Sequence, residues 1–168
     1  MYLADRPQVA LDYLAEALDA DPECYEALVM AGELHNLWAP ELGLEDQEGP
    51  LKAISFFDRA IAVQPDHAEA YAEKALALLD LEEYAEAITC TDRGLALLDS
   101  PPTTNYPPEV CINIGESLYS HQAIAFKESG RRDEGRRVLE EGLHRFPGSE
   151  YLTQIVDKFL PECDPDDA

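Results

Sequence analysis

The residues able to do chemistry are present but unassembled. The four histidines, His35, His67, His121 and His144, are scattered along 168 residues. None falls in the H-E-x-x-H spacing that sets two imidazoles on one helix face for zinc. No G-x-S-x-G elbow presents a serine nucleophile, and no G-x-x-x-x-G-K-[ST] loop cradles a phosphate. The cysteines, Cys24, Cys90, Cys111 and Cys163, are far apart and form no C-x-x-C. That spacing offers neither a zinc knuckle nor a redox pair, and it reads as reduced thiols in a cytoplasm. Asp66-His67 is an adjacent acid and imidazole, but an aspartate there reads first as a helix cap. A catalytic centre needs acid, base or metal groups that converge. The expectation is therefore no enzyme, no catalytic residue, no cofactor and no metal site.

Charge narrows the partners. Lys and Arg total 12 against 35 Asp and Glu, a formal net charge of −23. Such a surface repels phosphate backbones and anionic bilayers, so nucleic acid and membrane are excluded as partners. No stretch approaches the ~20 apolar residues that span a bilayer, and the first residues lack a signal-peptide core. Only four lysines occur, Lys52, Lys74, Lys127 and Lys158. The acidity reads either as adaptation to salt or as the complement of a basic client. Six of the basic residues cluster between Lys127 and Arg145. That cluster reads as solvated surface pairs, such as Asp133 with Arg137, or as a basic end for head-to-tail stacking on an acidic neighbour.

The elements that would position any site come from an internal repeat. Ala53, Phe57, Ala60, Ile61 and Pro65 read A-x3-F-x2-A-I-x3-P. The frame recurs as Ala10, Leu14, Ala17, Leu18 and Pro22, as Ala87, Thr91, Gly94, Leu95 and Asp99, and as Gly135, Leu139, Gly142, Leu143 and Pro147. Pro65 and Asp99 are 34 residues apart, and the neighbouring intervals of 43 and 48 carry insertions. Spacings of three, four and seven place each frame on one helical face. Small residues admit a neighbouring helix, and proline ends the run. A partner helix precedes three of the copies, marked by Leu28, Gly32 and His35, by Tyr71, Ala75 and Leu78, and by Tyr119, Ala123 and Phe126.

This pattern resembles the tetratricopeptide repeat family over residues 1–147. Leu28, Tyr71 and Tyr119 stand where the family prefers Trp, Lys74 and Gln122 replace its Leu, and Thr91 replaces its aromatic residue. The resemblance implies an all-α fold, an αα-hairpin solenoid forming a right-handed superhelix of about three and a half repeats plus a C-terminal end helix. The expected domain spans 1–160: half-repeat 1–22, repeat 23–65 with insertion 39–49, repeat 66–99, insertion 100–117, repeat 118–147 and end helix 149–160. An acidic tail, 161–168, follows. The first copy holds only its second helix, so the chain reads as part of a longer solenoid or as a natural half-repeat. Pro7 suits that helix's first turn. Ser149 is expected to cap the end helix, with Tyr151, Leu152, Ile155, Val156 and Phe159 facing inward. The insertions, rich in proline and polar residues, read as functional loops or as neutral lengthenings.

The resemblance also implies protein–protein interaction along a concave groove lined by the first helix of each pair. Its expected residues are Glu26, Val29, Glu33, Asn36 and Leu37, then Glu69, Ala72, Leu76, Leu79 and Asp80, then Ser120, Ile124 and Lys127, with Ser117 and Glu128 beside them. That face is mildly apolar with an acidic rim. It suits a peptide or helix with apolar anchors and Lys or Arg flanks. The clamp with which some family members hold a terminal carboxylate is not expected, because Glu26, Glu33 and Glu69 stand on the matching face. The alternative is a self-assembling structural module, a homo-oligomer that pairs through residues 7–20 by the bare face Val9, Leu11, Leu14 and Leu18.

Overall fold

The computed structural model describes residues 6–98 and 107–159. Asp99, the insertion residues 100–106, Leu160, Cys163 and the tail 161–168 lie outside the described residues, as do residues 1–5 of the half-repeat. Among the described residues the chain folds into eight helices and no strand. They are α1 (Pro7–Ala20), α2 (Tyr25–Leu37), α3 (Glu48–Val63), α4 (Ala68–Asp80), α5 (Tyr84–Leu98), α6 (Pro108–Glu128), α7 (Arg132–Arg145) and α8 (Glu150–Phe159). Three αα-hairpins, α2–α3, α4–α5 and α6–α7, sit between a lone helix at each end. None of these helices is long and apolar enough to cross a membrane.

Periodicity explains the packing. Ala53, Phe57 and Ala60 of α3 are fully buried, as are Ala87 and Thr91 of α5 and Leu139 of α7. Each frame lies against the helix that opens its own hairpin. A methyl group built on Gly32 would stand 2.5 Å from the Phe57 ring, and one on Gly142 would stand 2.9 Å from the Tyr119 ring. In both of these hairpins a small residue thus faces a large one where the helices cross, and on α5 Gly94 meets Leu118 of α6 instead. Thr91, where the repeat prefers an aromatic, turns its hydroxyl back to the carbonyls of Ala87 and Ile88 and so stays satisfied in the core.

Backbones approach closely between α2 and α4, between α4 and α6, and between α6 and α8, whereas those of α3, α5 and α7 stay apart from one another. The opening helices therefore form the closely packed inner layer, and their second helices fan outward. That difference in spacing curves the array and makes the inner layer concave. Turns are short. Glu82 between α4 and α5 adopts φ +61°, and Gly130 holds φ +81° at the same place between α6 and α7. Gly130 does so without the steric cost that a side chain brings.

The described parts of the insertions are not loose loops. Residues 39–47 form tight turns in which Leu42, Gly43 and Leu44 donate to Trp38, Pro40 and Ala39, and Ala39 is buried against Gly49. Residues 109–117 are not a separate stretch. They are the first half of the single helix α6, and there Gly115 packs against Phe146 and Leu98.

Local expectations meet mixed outcomes. Pro7 opens α1. Ser149 caps α8 by accepting from the Leu152 N–H at 3.0 Å. Asp66 does not cap α4: the cap residue is His67, which makes no side-chain cap bond. Tyr151 is not buried, being 45% exposed, although its hydroxyl reaches Ser120 of α6 at 3.2 Å. Leu152, Ile155 and Phe159 are buried and Val156 is half-buried.

Because a methyl group on Gly32 presses on the Phe57 ring, Gly32→Ala destabilises the chain by about 1–3 kcal/mol. Adding Phe57→Leu recovers part of that loss, a coupling that a double-mutant cycle of denaturant unfolding measures directly. Additive losses would refute the close contact.

Candidate functional site

The expected groove residues lie on the inner layer formed by the opening helices, whose composition follows from helical geometry. On α4, residues one turn apart share a face, so Glu69, Glu73, Leu76 and Asp80 run along the concave side. The repeat places α2 beside α4 nearly in register. Tyr25 donates from its hydroxyl to Glu69 at 3.4 Å, and the Asn36 amide donates to Asp80 at 3.0 Å. Between these two bridges, Glu33 of α2 meets Glu69 and Glu73 of α4 closely enough for their charges to interact.

That meeting has an electrostatic consequence. Burial, then the charges of Glu33 and Glu69, push the Glu73 carboxyl up to about 7. Burial and Glu69 also raise Glu33. Like charges brought close together disfavour ionisation of one another. No group of His, Cys, Asp and Glu among the described residues is arranged to hold a metal ion.

Further along, α6 adds His121. Its Nδ1 lies 3.2 Å from the Ala72 carbonyl, which only accepts, so Nδ1 carries a proton. Burial lowers this histidine to about 4, against a smaller opposing effect of that same bond. Beside it, the Gln122 amide donates to Asp92 on the outer layer.

The expected groove residues do not form one uniform surface. Glu33, Asn36, Glu69, Leu76, Leu79, Ile124 and Lys127 are half-buried on the inner layer, and Glu26, Leu37 and Asp80 are exposed. Leu37 is 61% exposed at the end of α2. Val29, Ala72 and Ser120 are buried between helices and lie beneath the groove. Leu79 leans onto the cluster around Tyr71 and Leu78. Lys127 turns towards α8, with its ammonium 5.5 Å from the centre of the Phe159 ring and 3.3 Å from Glu128.

Two features escaped the sequence. Glu73 was one; the signal that finds it is Glu69 and Glu73 one helical turn apart, set against Glu33 one repeat earlier. The other is the first insertion. Pro40, Leu44 and Asp46 join Asn36, Pro50 and Asp80 around a cavity of about 270 Å³ at the groove's end. No local pattern announces that placement.

The basic cluster of α7 is largely spoken for. Arg131 holds Glu134 at 2.6 Å and Arg136 holds Glu140 at 3.1 Å. Arg132 donates to the Phe159 carbonyl and Arg145 to that of Leu98. Such exposed pairs contribute little stability.

Comparison with known proteins agrees with this geometry. A family model described as tetratricopeptide repeat matches residues 4–37 and 43–98, and its break, residues 38–42, covers the start of the first insertion. A thermophilic protein of this repeat type from Thermus thermophilus superposes with a TM-score of 0.71 at 20% identity, covering 91% of this chain and 72% of that one. MamA gives 0.64 at 21% identity, covering 89% and 74%. The second such domain of human RPAP3, solved with the HSP70 peptide SGPTIEEVD, gives 0.56 at 18% identity, covering 80% and 97%. At these identities the likeness is one of fold. An uncharacterized protein of Methanocaldococcus jannaschii is 46% identical over 46 residues, 27% of this chain and 54% of that protein. The match thus spans about half the length of that relative.

The raised Glu73 carboxyl sets a sign for stability against pH. The fold favours its neutral form, so its contribution is complete below the ordinary value of 4.5 and is lost as pH rises to about 7. Glu73→Gln removes that loss and is more stable than the parent at pH 8 by on the order of 2 kcal/mol, read from urea midpoints. His121 acts oppositely. Its contribution is complete above 6.5 and is lost as pH falls towards 4. His121→Gln therefore flattens the acid limb of the stability curve; an unchanged acid limb would contradict the buried neutral ring.

Proposed function

The chain belongs to the tetratricopeptide repeat family, and from that premise we propose that it is a non-catalytic interaction module. Its concave groove holds a peptide or helix that places a Lys or Arg between apolar anchors. The observation that carries this reading is the convergence of Glu33, Glu69 and Glu73 from two adjacent helices. A ligand cation seated there relieves their mutual repulsion, a gain unavailable to a neutral or acidic segment. Leu76 and Ile124, half-buried on the same layer, offer shallow contacts for the apolar anchors. Leu37 and the cavity beside Pro40 and Leu44 lengthen the groove at one end.

The RPAP3 domain supports peptide capture by this fold. Its peptide, however, carries Glu and Asp near the end, whereas the present groove is itself acidic. The same architecture here fits the opposite charge. Glu26, Asp80 and Glu128 extend the acidic rim beyond the central trio, so selectivity rests on the whole inner layer.

Peptides selected on the immobilised chain from a random library provide the test. Lys or Arg flanked by apolar residues is the expected enrichment. Binding tightens as pH rises from 6 to 8, because the ligand cation draws the proton from Glu73. It weakens with added salt. Glu73→Gln costs roughly tenfold in affinity and flattens the pH dependence, and Leu76→Asp removes the apolar anchor. Enrichment of acidic peptides, or affinity indifferent to pH, salt and both variants, would overturn the proposal.

A further inference from the structure

Where two repeats join, the second helix of one repeat meets the first helix of the next, and a polar pair marks the meeting. On α3, Asp58 holds Lys74 of α4, 16 residues on, at 2.6 Å. On α5, Asp92 accepts from Gln122 of α6. Asp58 and Asp92 each follow the central residue of their frame, Phe57 and Thr91. The residue that follows Leu14 in α1 is Ala15, and 16 residues on stands Ala31 of α2. The first junction thus has two methyl groups where the others have a polar bridge.

Ala15 and Ala31 line a cavity of about 360 Å³ between α1, α2 and α3, and Leu42 and Leu44 of the first insertion wall it. Small-molecule sites start at about this size. A cleft of the same volume recurs between α3 and α5, but there Glu86 and Arg93 join the Asp58–Lys74 pair. Val9, Leu11, Leu14 and Leu18, expected as a bare pairing face, are half-buried, and the three leucines line the first cavity. Its polar groups are few. Asp12 on the α1 wall accepts from Gln8 at 3.0 Å. Lys52 on the α3 wall makes no ion pair among the described residues. The His35 ring stacks on Phe56 with centroids 5.5 Å apart, and its buried Nδ1 has no hydrogen-bond partner. Burial, then the Lys52 charge, lower this histidine from its ordinary value, which places the ammonium near the ring.

We propose that this junction binds a small amphiphilic carboxylate, its apolar body between Ala15, Ala31, Leu42 and Phe56 and its head on Lys52 beside His35. The apolar lining favours removal of a hydrocarbon chain from water. The free ammonium selects the sign of the head, because the one carboxylate in the lining is already held by Gln8. A neutral chain gains the first contribution alone, and a cationic one meets Lys52 unfavourably. Apart from Leu44, which also borders the cavity at the groove's end, no residue of this lining belongs to the proposed groove.

The probes are octanoate, octanol and octylammonium, each titrated into the isotope-labelled full chain. The expected result is saturable amide shifts centred on Ala15, Ala31, Leu42 and Lys52, tightest for octanoate. Lys52→Gln lowers octanoate affinity about fivefold and leaves octanol unchanged. Ala15→Asp sets an anion in the cavity at an exposed position and lowers octanoate affinity at least about tenfold. Ala15→Asp with Ala31→Lys copies the Asp58–Lys74 pair of the next junction, and this double variant folds, by circular dichroism, but binds none of the three. Glu73→Gln leaves all three affinities unchanged. Shifts confined to the groove, no saturable shift, or octylammonium binding as tightly as octanoate overturns the proposal. So does octanoate affinity indifferent to Ala15→Asp. Nuclear Overhauser contacts from Leu3 to Leu42 in the ligand-free chain overturn it as well, since the chain then fills its own cavity.

Discussion

Everything in this molecule depends on a small residue meeting a large one where two helices of a hairpin cross. Gly32 under Phe57 and Gly142 under Tyr119 leave no room for a methyl group. Interiors pack to the density of organic crystals, so such crossings tolerate little change. Because they bring each helix pair so close, the opening helices reach one another across the inner layer, and the array curves. The groove is a consequence of that curvature, not a separately built cavity.

The same closeness gives the groove its chemistry. Carboxylates on separate surface helices would ionise freely in water. Here α2 and α4 bring Glu33, Glu69 and Glu73 together, and burial leaves Glu73 a poor place for charge. The fold tolerates this because a protonated carboxyl is inexpensive to bury compared with a charged one. His121 shows the mirror case, an imidazole kept neutral against the Ala72 carbonyl. Both make the inner layer sensitive to whatever charge lies against it.

The two ends of the array behave differently. At α8, Thr153, Gln154, Asp157 and Lys158 face outward beside the exposed Tyr151, and Ser149 caps the helix start. At α1 the frame built for helix packing stands partly open. The insertions also differ from one another. The first folds back through Ala39 and reaches the groove, and the second extends α6 into contact with α5 and α7.

The sequence by itself determined the architecture. Frames such as Ala53, Phe57 and Ala60 recur at helical spacing, and only paired, stacked helices bury them all. It also determined which helices face inward and that their rim is acidic. Tertiary structure decided the rest. Whether Val29, Ala72 and Ser120 line the groove or lie beneath it depends on how closely neighbouring helices approach, which spacing within one helix does not specify. Glu73 matters because Glu33 arrives from 40 residues away, and Pro40 and Leu44 reach the groove through turns that carry no periodic signal. Periodicity records which face of a helix is buried. Distances between faces are set only when every side chain of the array has found its place.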